Sequence, residues 1–205
     1  MKEFDVKALT WDEDPSRVER AKVIAKRMRS YLNETHFHSA LEYGSGTGLL
    51  GYELIDLFDK ITFMDESKEM TRITLEKSKA FPDKKMEVLE YDLINDPLPS
   101  RRYDLIFTML TLHHIDDTEL ILEKFHSLLN PGGLLAIIDL VKEDGSFHSG
   151  EFHGHNGFEK ELLEKKLVLS ALKPVQYEIV YHIYKEINDG TKKDFPLFFS
   201  LSEKQ

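Results

Sequence analysis

The chain has no cysteine among its 205 residues, which removes disulfides, thiolate metal sites and cysteine nucleophiles together. It has no apolar run approaching the ~20 residues of a membrane span. The opening Met1-Lys2-Glu3-Phe4-Asp5-Val6-Lys7 lacks the apolar core of a secretory signal. A cytoplasmic location is the expectation that follows. An excess of basic charge is missing too: 27 Lys and Arg against 37 Asp and Glu leave a formal net charge of -10, which works against broad binding of a phosphate backbone. The densest basic group, Lys22, Lys26, Arg27 and Arg29, sits in one helical stretch and reads as a solvated face. Neither nucleic acid nor membrane is expected as a partner. Repeats, low-complexity tracts and linkers are absent as well, and the length suits one domain with a substantial core.

What is present is a glycine turn at a defined place. Leu41-Glu42-Tyr43-Gly44-Ser45-Gly46-Thr47-Gly48-Leu49-Leu50-Gly51 runs from an apolar entry through a glycine-rich turn into an amphipathic run. A strand that turns sharply into a helix needs positive φ values and room for a ligand near the backbone, and glycine supplies both. The same residues fit the dinucleotide fingerprint G-x-G-x-x-G. Between His38 and Lys60 there is no Lys or Arg, while Glu42 precedes the loop and Asp65 closes the next strand. An acidic mouth suits a cationic ligand better than a pyrophosphate.

The remaining pattern alternates strand and helix. Asp14-Pro15 reads as an N-cap with proline at the first helical position, followed by Val18, Ala21, Ile24, Ala25, Met28 and Leu32 at helical spacing. Strands are predicted at Ile61 to Asp65, Met86 to Asp92, Tyr103 to Leu110 and Leu134 to Leu140. Helices are predicted at Leu49 to Phe58, at Ser67 to Lys79 with Met70, Ile73 and Leu75 inward, and from Asp116 and Glu119 to Leu129. Asp104 near the start of its strand reads as structural. Asn130-Pro131-Gly132-Gly133 is a breaker, 142–156 a long polar loop, and Phe158, Leu162, Leu163 and Leu167 mark another helix. Val175 to Ile187 and Asp194 to Leu201 read as a hairpin around Asn188-Asp189-Gly190-Thr191.

Glu42-Tyr43-Gly44-Ser45-Gly46-Thr47-Gly48, with Asp65, Asp92, the Tyr103-Asp104-Leu105-Ile106 strand and Asn130-Pro131-Gly132-Gly133, resembles the class I S-adenosylmethionine-dependent methyltransferases over roughly Trp11 to Val141. The resemblance implies a Rossmann-like three-layer α/β/α sandwich, with a mostly parallel seven-stranded sheet and a C-terminal antiparallel β-hairpin. It implies S-adenosyl-L-methionine as cofactor and S-adenosyl-L-homocysteine as product. The cofactor residues it carries over are Glu42, Gly44, Ser45, Gly46, Thr47, Gly48, Asp65, Glu66, Asp92, Leu93, Thr108 and Met109. By the resemblance Asp92 faces the adenine amino group and Leu93 the ring, while the Trp11-Asp12-Glu13-Asp14-Pro15 segment folds over the pocket. The expected division is a helical cover over 1–34, a cofactor-binding core over 35–141, and an acceptor-side loop, helix and hairpin over 142–205.

Each of these assignments has a plain structural alternative. Asp65 sits at the carboxyl edge, where a carboxylate can accept from ribose hydroxyls, or it caps the helix near Ser67. Asp92 starts the turn toward Asn95-Asp96-Pro97 if it does not face a ligand. Trp11 staples the first helix to the body if it does not cover the pocket.

Methyl transfer from a sulfonium is an in-line displacement that needs orientation more than a nucleophile. His113, His114, His148, His153 and His155 are the available bases, of which His113, His153 and His155 are the chosen candidates, with His113 either lining the transfer pocket or anchoring the turn after its strand. His148, His153 and His155 have chelating spacing but no matching carboxylates, so no metal is expected. Thr108-Met109-Leu110-Thr111 stands where amino-directed nucleic-acid and protein-glutamine methyltransferases carry Asn-Pro-Pro-aromatic, so a small-molecule acceptor is the expectation. The other readings are a non-catalytic cofactor-binding protein and an NAD-dependent oxidoreductase.

Overall fold

The computed structural model describes residues 3–33, 35–148, 150–187 and 190–205. Seven strands form one sheet in the order β3-β2-β1-β4-β5-β7-β6. They are β1 (Phe37–Tyr43), β2 (Phe58–Asp65), β3 (Lys85–Glu90), β4 (Tyr103–Met109), β5 (Leu129–Leu140), β6 (Leu172–Glu186) and β7 (Lys192–Lys204). The first five run parallel. β7 inserts antiparallel between β5 and β6, so the C-terminal hairpin closes the sheet. The fold is the expected Rossmann-like α/β/α sandwich. Among the described residues no helix is long and apolar enough to cross a membrane.

The two faces of the sheet are read from strand alternation. Phe107 and Phe199 pack on one face with Ile24 and Met28 of α2 (Pro15–Tyr31) and Leu50 of α3 (Leu49–Glu53). Their chain neighbours Ile106 and Phe198 pack on the other with Phe125 of α5 (Thr118–Leu128) and Leu163 and Leu167 of α6 (Lys160–Leu169). α1 (Glu3–Lys7) and a 3-10 turn over Ala8–Glu13 precede α2, and α4 (Lys68–Ser78) links β2 to β3.

Several local signals took effect as written. Asp14 accepts from Ser16 N at 2.9 Å and starts α2. Asp104 accepts from Ser39 N at 2.9 Å and from Asn130 Nδ2 at 2.7 Å, which ties β1 and β4 to the start of β5; β5 takes in the expected breaker Asn130-Pro131-Gly132-Gly133, where its register against β4 shifts.

Others shifted. The helix after the glycine loop stops at Glu53, because a 3-10 turn over Ile55–Leu57 leads the chain directly into β2. Leu75 is exposed, since Met70, Thr71 and Thr74 form the buried side of α4. The cap of α5 is Asp117, accepting from Leu120 N at 2.9 Å, in place of Asp116. The hairpin strands reach further than expected, to Leu172 and Lys204. The Asn188-Asp189 centre of the expected turn lies outside the described residues.

Candidate functional site

The strand order reverses between β1 and β4, and the segments leaving these two strands border a cavity of about 800 Å³. A crevice at the carboxyl ends of the strands, at such a reversal, is where open α/β sheets take ligands, and the volume falls in the range of small-molecule sites.

The glycine loop makes one wall. Gly44 has φ +65°, and a Cβ there would stand 2.2 Å from Thr111 Cγ2, so close packing excludes a side chain. Gly46 has φ +53°, but a Cβ there meets only Met70 Sδ at 3.9 Å and Trp11 Nε1 at 4.0 Å. Its bare backbone therefore lines the cavity with no close neighbour at the Cβ position. Beside it Ser45 is buried, and its Oγ has no hydrogen-bond partner. Asp65 accepts from Gly46 N at 2.7 Å and from Ser67 N at 2.8 Å, while Ser67 itself caps α4 through Met70 N at 3.2 Å. Asp65 thus holds the loop to the start of α4.

Glu42 lies beneath the loop, accepting from Gly51 N at 3.1 Å. It is 3% exposed, and burial pushes its carboxyl up to about 8, partly opposed by that hydrogen bond. Asp92 accepts from Ile94 N at 3.0 Å and from Asn95 N at 3.2 Å, an Asx turn at the end of β3 that also lines the cavity.

The N-terminal segment crosses the loop. Asp12 accepts from Thr47 Oγ1 at 2.5 Å and Lys77 Nζ at 2.9 Å, and Lys77 also donates to Thr47 O at 2.8 Å. Arg17 stacks on Trp11 with its guanidinium 3.9 Å from the ring centroid.

The facing wall follows β4 as a 3-10 turn over Leu112–His114. His113 is 1% exposed. Its Nδ1 lies 2.6 Å from Asp139 Oδ1, and its backbone N donates to Asp139 Oδ2 at 3.2 Å. Leu140 N also donates to Asp139 Oδ1, at 2.7 Å. Phe147, His148 and Phe152 of the long loop complete this side. Its stem is anchored by Lys142 N to Phe158 O and Glu143 N to Asn156 O.

A family model described as "Methyltransferase domain" matches residues 41–135, from the start of the glycine segment into β5. An uncharacterized methyltransferase of Schizosaccharomyces pombe is 30% identical over 122 residues, covering 56% of this chain and 43% of that protein. Over residues 41–135 the chain is thus similar to the methyltransferase domain family. It spans about half the length of the curated relatives it matches. Among solved structures the methyltransferase fold is shared with the N-methyltransferase NodS from Bradyrhizobium japonicum in complex with S-adenosyl-L-homocysteine. That likeness has a TM-score of 0.66 at 15% identity and covers 93% of this chain and 87% of that one. The [4+2]-cyclase SpnF is alike with a TM-score of 0.70 at 14% identity over 89% of this chain and 80% of that one. At such identities the likeness speaks for the fold alone.

Of the residues expected to face a cofactor, Glu42, Gly44, Ser45, Gly46, Thr47, Asp65, Glu66, Asp92 and Met109 line the cavity. Three lie elsewhere. Leu93 is in the core, because the Asx turn at Asp92 swings it inward and leaves Ile94 at the wall. Thr108 is buried within β4; the chain opens to the cavity only from Met109, with Leu110 at φ +54°. Gly48 faces the Tyr52 ring, 2.9 Å from where its Cβ would be.

Among the expected bases only His113 lines the cavity. His153 is exposed beside Glu151. His155 is an anchor, its N donating to His113 O at 2.7 Å and its Nε2 to Ile115 O at 3.0 Å. Sequence reasoning counted His114 and His148 among the available bases without choosing them, and it left Phe152 out. The adjacency of His113 and His114 was a visible signal; a fold for the loop bearing the other two was not.

Proposed function

We propose that this protein transfers a methyl group from S-adenosyl-L-methionine to a small-molecule acceptor held against the His113 side of the cavity. The observation that carries the reading is the bare Gly46 backbone lining the cavity beside the unpartnered Ser45 Oγ. This is a cradle in which a side chain would displace a ligand.

The residues present fit that cofactor. Asp65 and Glu66 at the end of β2 would meet the ribose hydroxyls, Asp92 and Ile94 after β3 suit a purine, and the acidic group Asp65, Glu66 and Asp92 favours a cation. When bound, S-adenosyl-L-methionine supplies an electrophilic methyl on a sulfonium. The chain's own work is orientation. Trp11 and Asp12 hold the N-terminal segment across the loop, and Phe147 and Phe152 bring apolar surface to the opposite wall, so closure of the two sides on a bound acceptor would exclude water. Proximity of this kind is worth up to roughly 7 to 11 kcal/mol of barrier.

Thermal denaturation with added nucleotides tests the cofactor. S-adenosyl-L-homocysteine should raise the melting temperature and NAD should not, because only a ligand of the native state stabilises it. A shift with NAD alone would overturn the reading. Incubation with metabolite pools and labelled cofactor tests turnover, with label expected in a low-molecular-weight product.

A further inference from the structure

We propose that His113, His114 and His148 form a binding site for a divalent metal ion of the zinc class, at the acceptor side of the cavity. Each imidazole places one ring nitrogen so that the three lie within 4.8 Å of one another. A tetrahedral zinc site with Zn–N of about 2.0–2.1 Å sets its nitrogens roughly 3.3 Å apart. Small side-chain rotations close that difference of at most about 1.5 Å. All three residues line the cavity.

The second observation comes from His113 alone. Asp139 already takes the Leu140 and His113 backbone N–H groups, so the Nδ1 contact at 2.6 Å is a donation from the imidazole to the carboxylate. That fixes the tautomer and leaves Nε2 as the nitrogen with the lone pair. Nε2 is buried and has no hydrogen-bond partner. A buried acceptor in that condition is costly. A metal ligated at Nε2, with a carboxylate holding the opposite ring nitrogen, removes the cost and reproduces the second-shell arrangement that orients histidine ligands.

The surroundings suit such a site. His148 stacks on Phe152 with centroids 3.6 Å apart and planes 11° from parallel. His114 meets Phe4 edge-on at 5.3 Å, so an aromatic sheath encloses the ligands. Three neutral imidazoles leave a fourth position open toward the cavity, the pattern of sites that take water or substrate. There the ion would hold an oxygen, nitrogen or sulfur of the acceptor. His148 comes from the long loop and His113 and His114 from the turn after β4, so the ion would also join these two segments. The anchoring role rests on the methyl-transfer reading; the site itself does not.

The test uses the whole chain, stripped with a chelator and titrated with Co²⁺ in the visible range and with Zn²⁺ by calorimetry. The expected result is about one equivalent bound, with a Co²⁺ ligand-field band. Affinity should fall at least ~10-fold in His148→Ala and His113→Gln, and about 10- to 100-fold in Asp139→Asn, while His153→Ala leaves it unchanged. Hydrogen exchange in 143–148 should slow on Zn²⁺ addition. His148 is a loop residue, so its variant tests the site even if the buried substitutions unfold the protein. The melting shift with S-adenosyl-L-homocysteine is recorded for each variant. Absence of a Co²⁺ band while that shift persists would overturn the metal site and leave the cofactor reading standing. A Co²⁺ affinity indifferent to His148→Ala would also overturn it.

Discussion

Gly44 and Gly46 share a left-handed backbone for different reasons, and the difference separates stability from binding. A side chain at Gly44 collides with Thr111, whereas one at Gly46 enters the cavity. Gly46→Val should therefore abolish the S-adenosyl-L-homocysteine shift, worth about 2.7 kcal/mol at a hundred times Kd, through both the lost space and the strain of a branched residue at positive φ. Calorimetry that found unchanged affinity in a folded variant would remove the cradle from the argument.

Asp65 serves two structural donors, Gly46 N and Ser67 N. Asp65→Ala should thus weaken the cofactor by about 1.5–3 kcal/mol, as for a hydrogen bond to a charged group, and also cost about 1–3 kcal/mol of folding stability by orphaning those amides. Isothermal titration and urea unfolding on the same variant read the two effects separately. Loss of stability without loss of affinity would leave Asp65 as a scaffold only.

Glu42 makes a prediction in pH. Burial raises its carboxyl to about 8, above the ordinary 4.5. Between these values the native state holds a proton that the unfolded chain has released, so stability falls as pH rises through that window. In Glu42→Gln this contribution disappears. The variant's melting temperature should decline less than the wild type's between about pH 5 and 8. Parallel pH profiles would contradict the buried-carboxyl account.

At the scale of elements, the N-terminal segment and the long loop approach the cavity from separate parts of the chain. Asp12 fastens the first to the glycine loop through Thr47 and Lys77. Asp12→Ala should speed amide exchange over 3–13 and weaken S-adenosyl-L-homocysteine several-fold, while α2, which has its own Asp14 cap, keeps its protection. The loop over 142–157 is pinned at its stem by the Val141–Phe158 bridge and the Glu143–Asn156 contact. Its stem amides should exchange slowly throughout, and those of 150–153 should slow when product cofactor and acceptor are both present. Exchange indifferent to ligands would reduce the loop to a fixed wall.

At the scale of the molecule, the C-terminal hairpin completes the core that supports the site. Phe199 of β7 is fully buried with Phe107 and Ile138 on one face, and Phe198 with Ile106 and Leu163 on the other. Phe199→Ala should cost about 3–5 kcal/mol of stability by chemical denaturation, the range for emptying an aromatic core position.

How much of this was legible in the sequence depends on the range over which each signal acts. The β1 glycine loop, the Asp14-Pro15 cap, the alternating strand and helix pattern and the acids closing β2 and β3 are local: φ preference, capping and periodicity act within a few residues. They determined the fold class and the order of its elements by themselves. Element ends shifted where the competing groups lay close together, as at Asp116 and Asp117.

Tertiary structure alone decided which side chains meet. Whether Leu93 or Ile94 reached the cavity depended on one Asx turn, and His113 gained its orientation from Asp139, 26 residues away. His148, on a loop without periodicity, came to rest beside His113 and His114. Loop closure of that kind is set by packing against the finished sheet, and no local propensity encodes it.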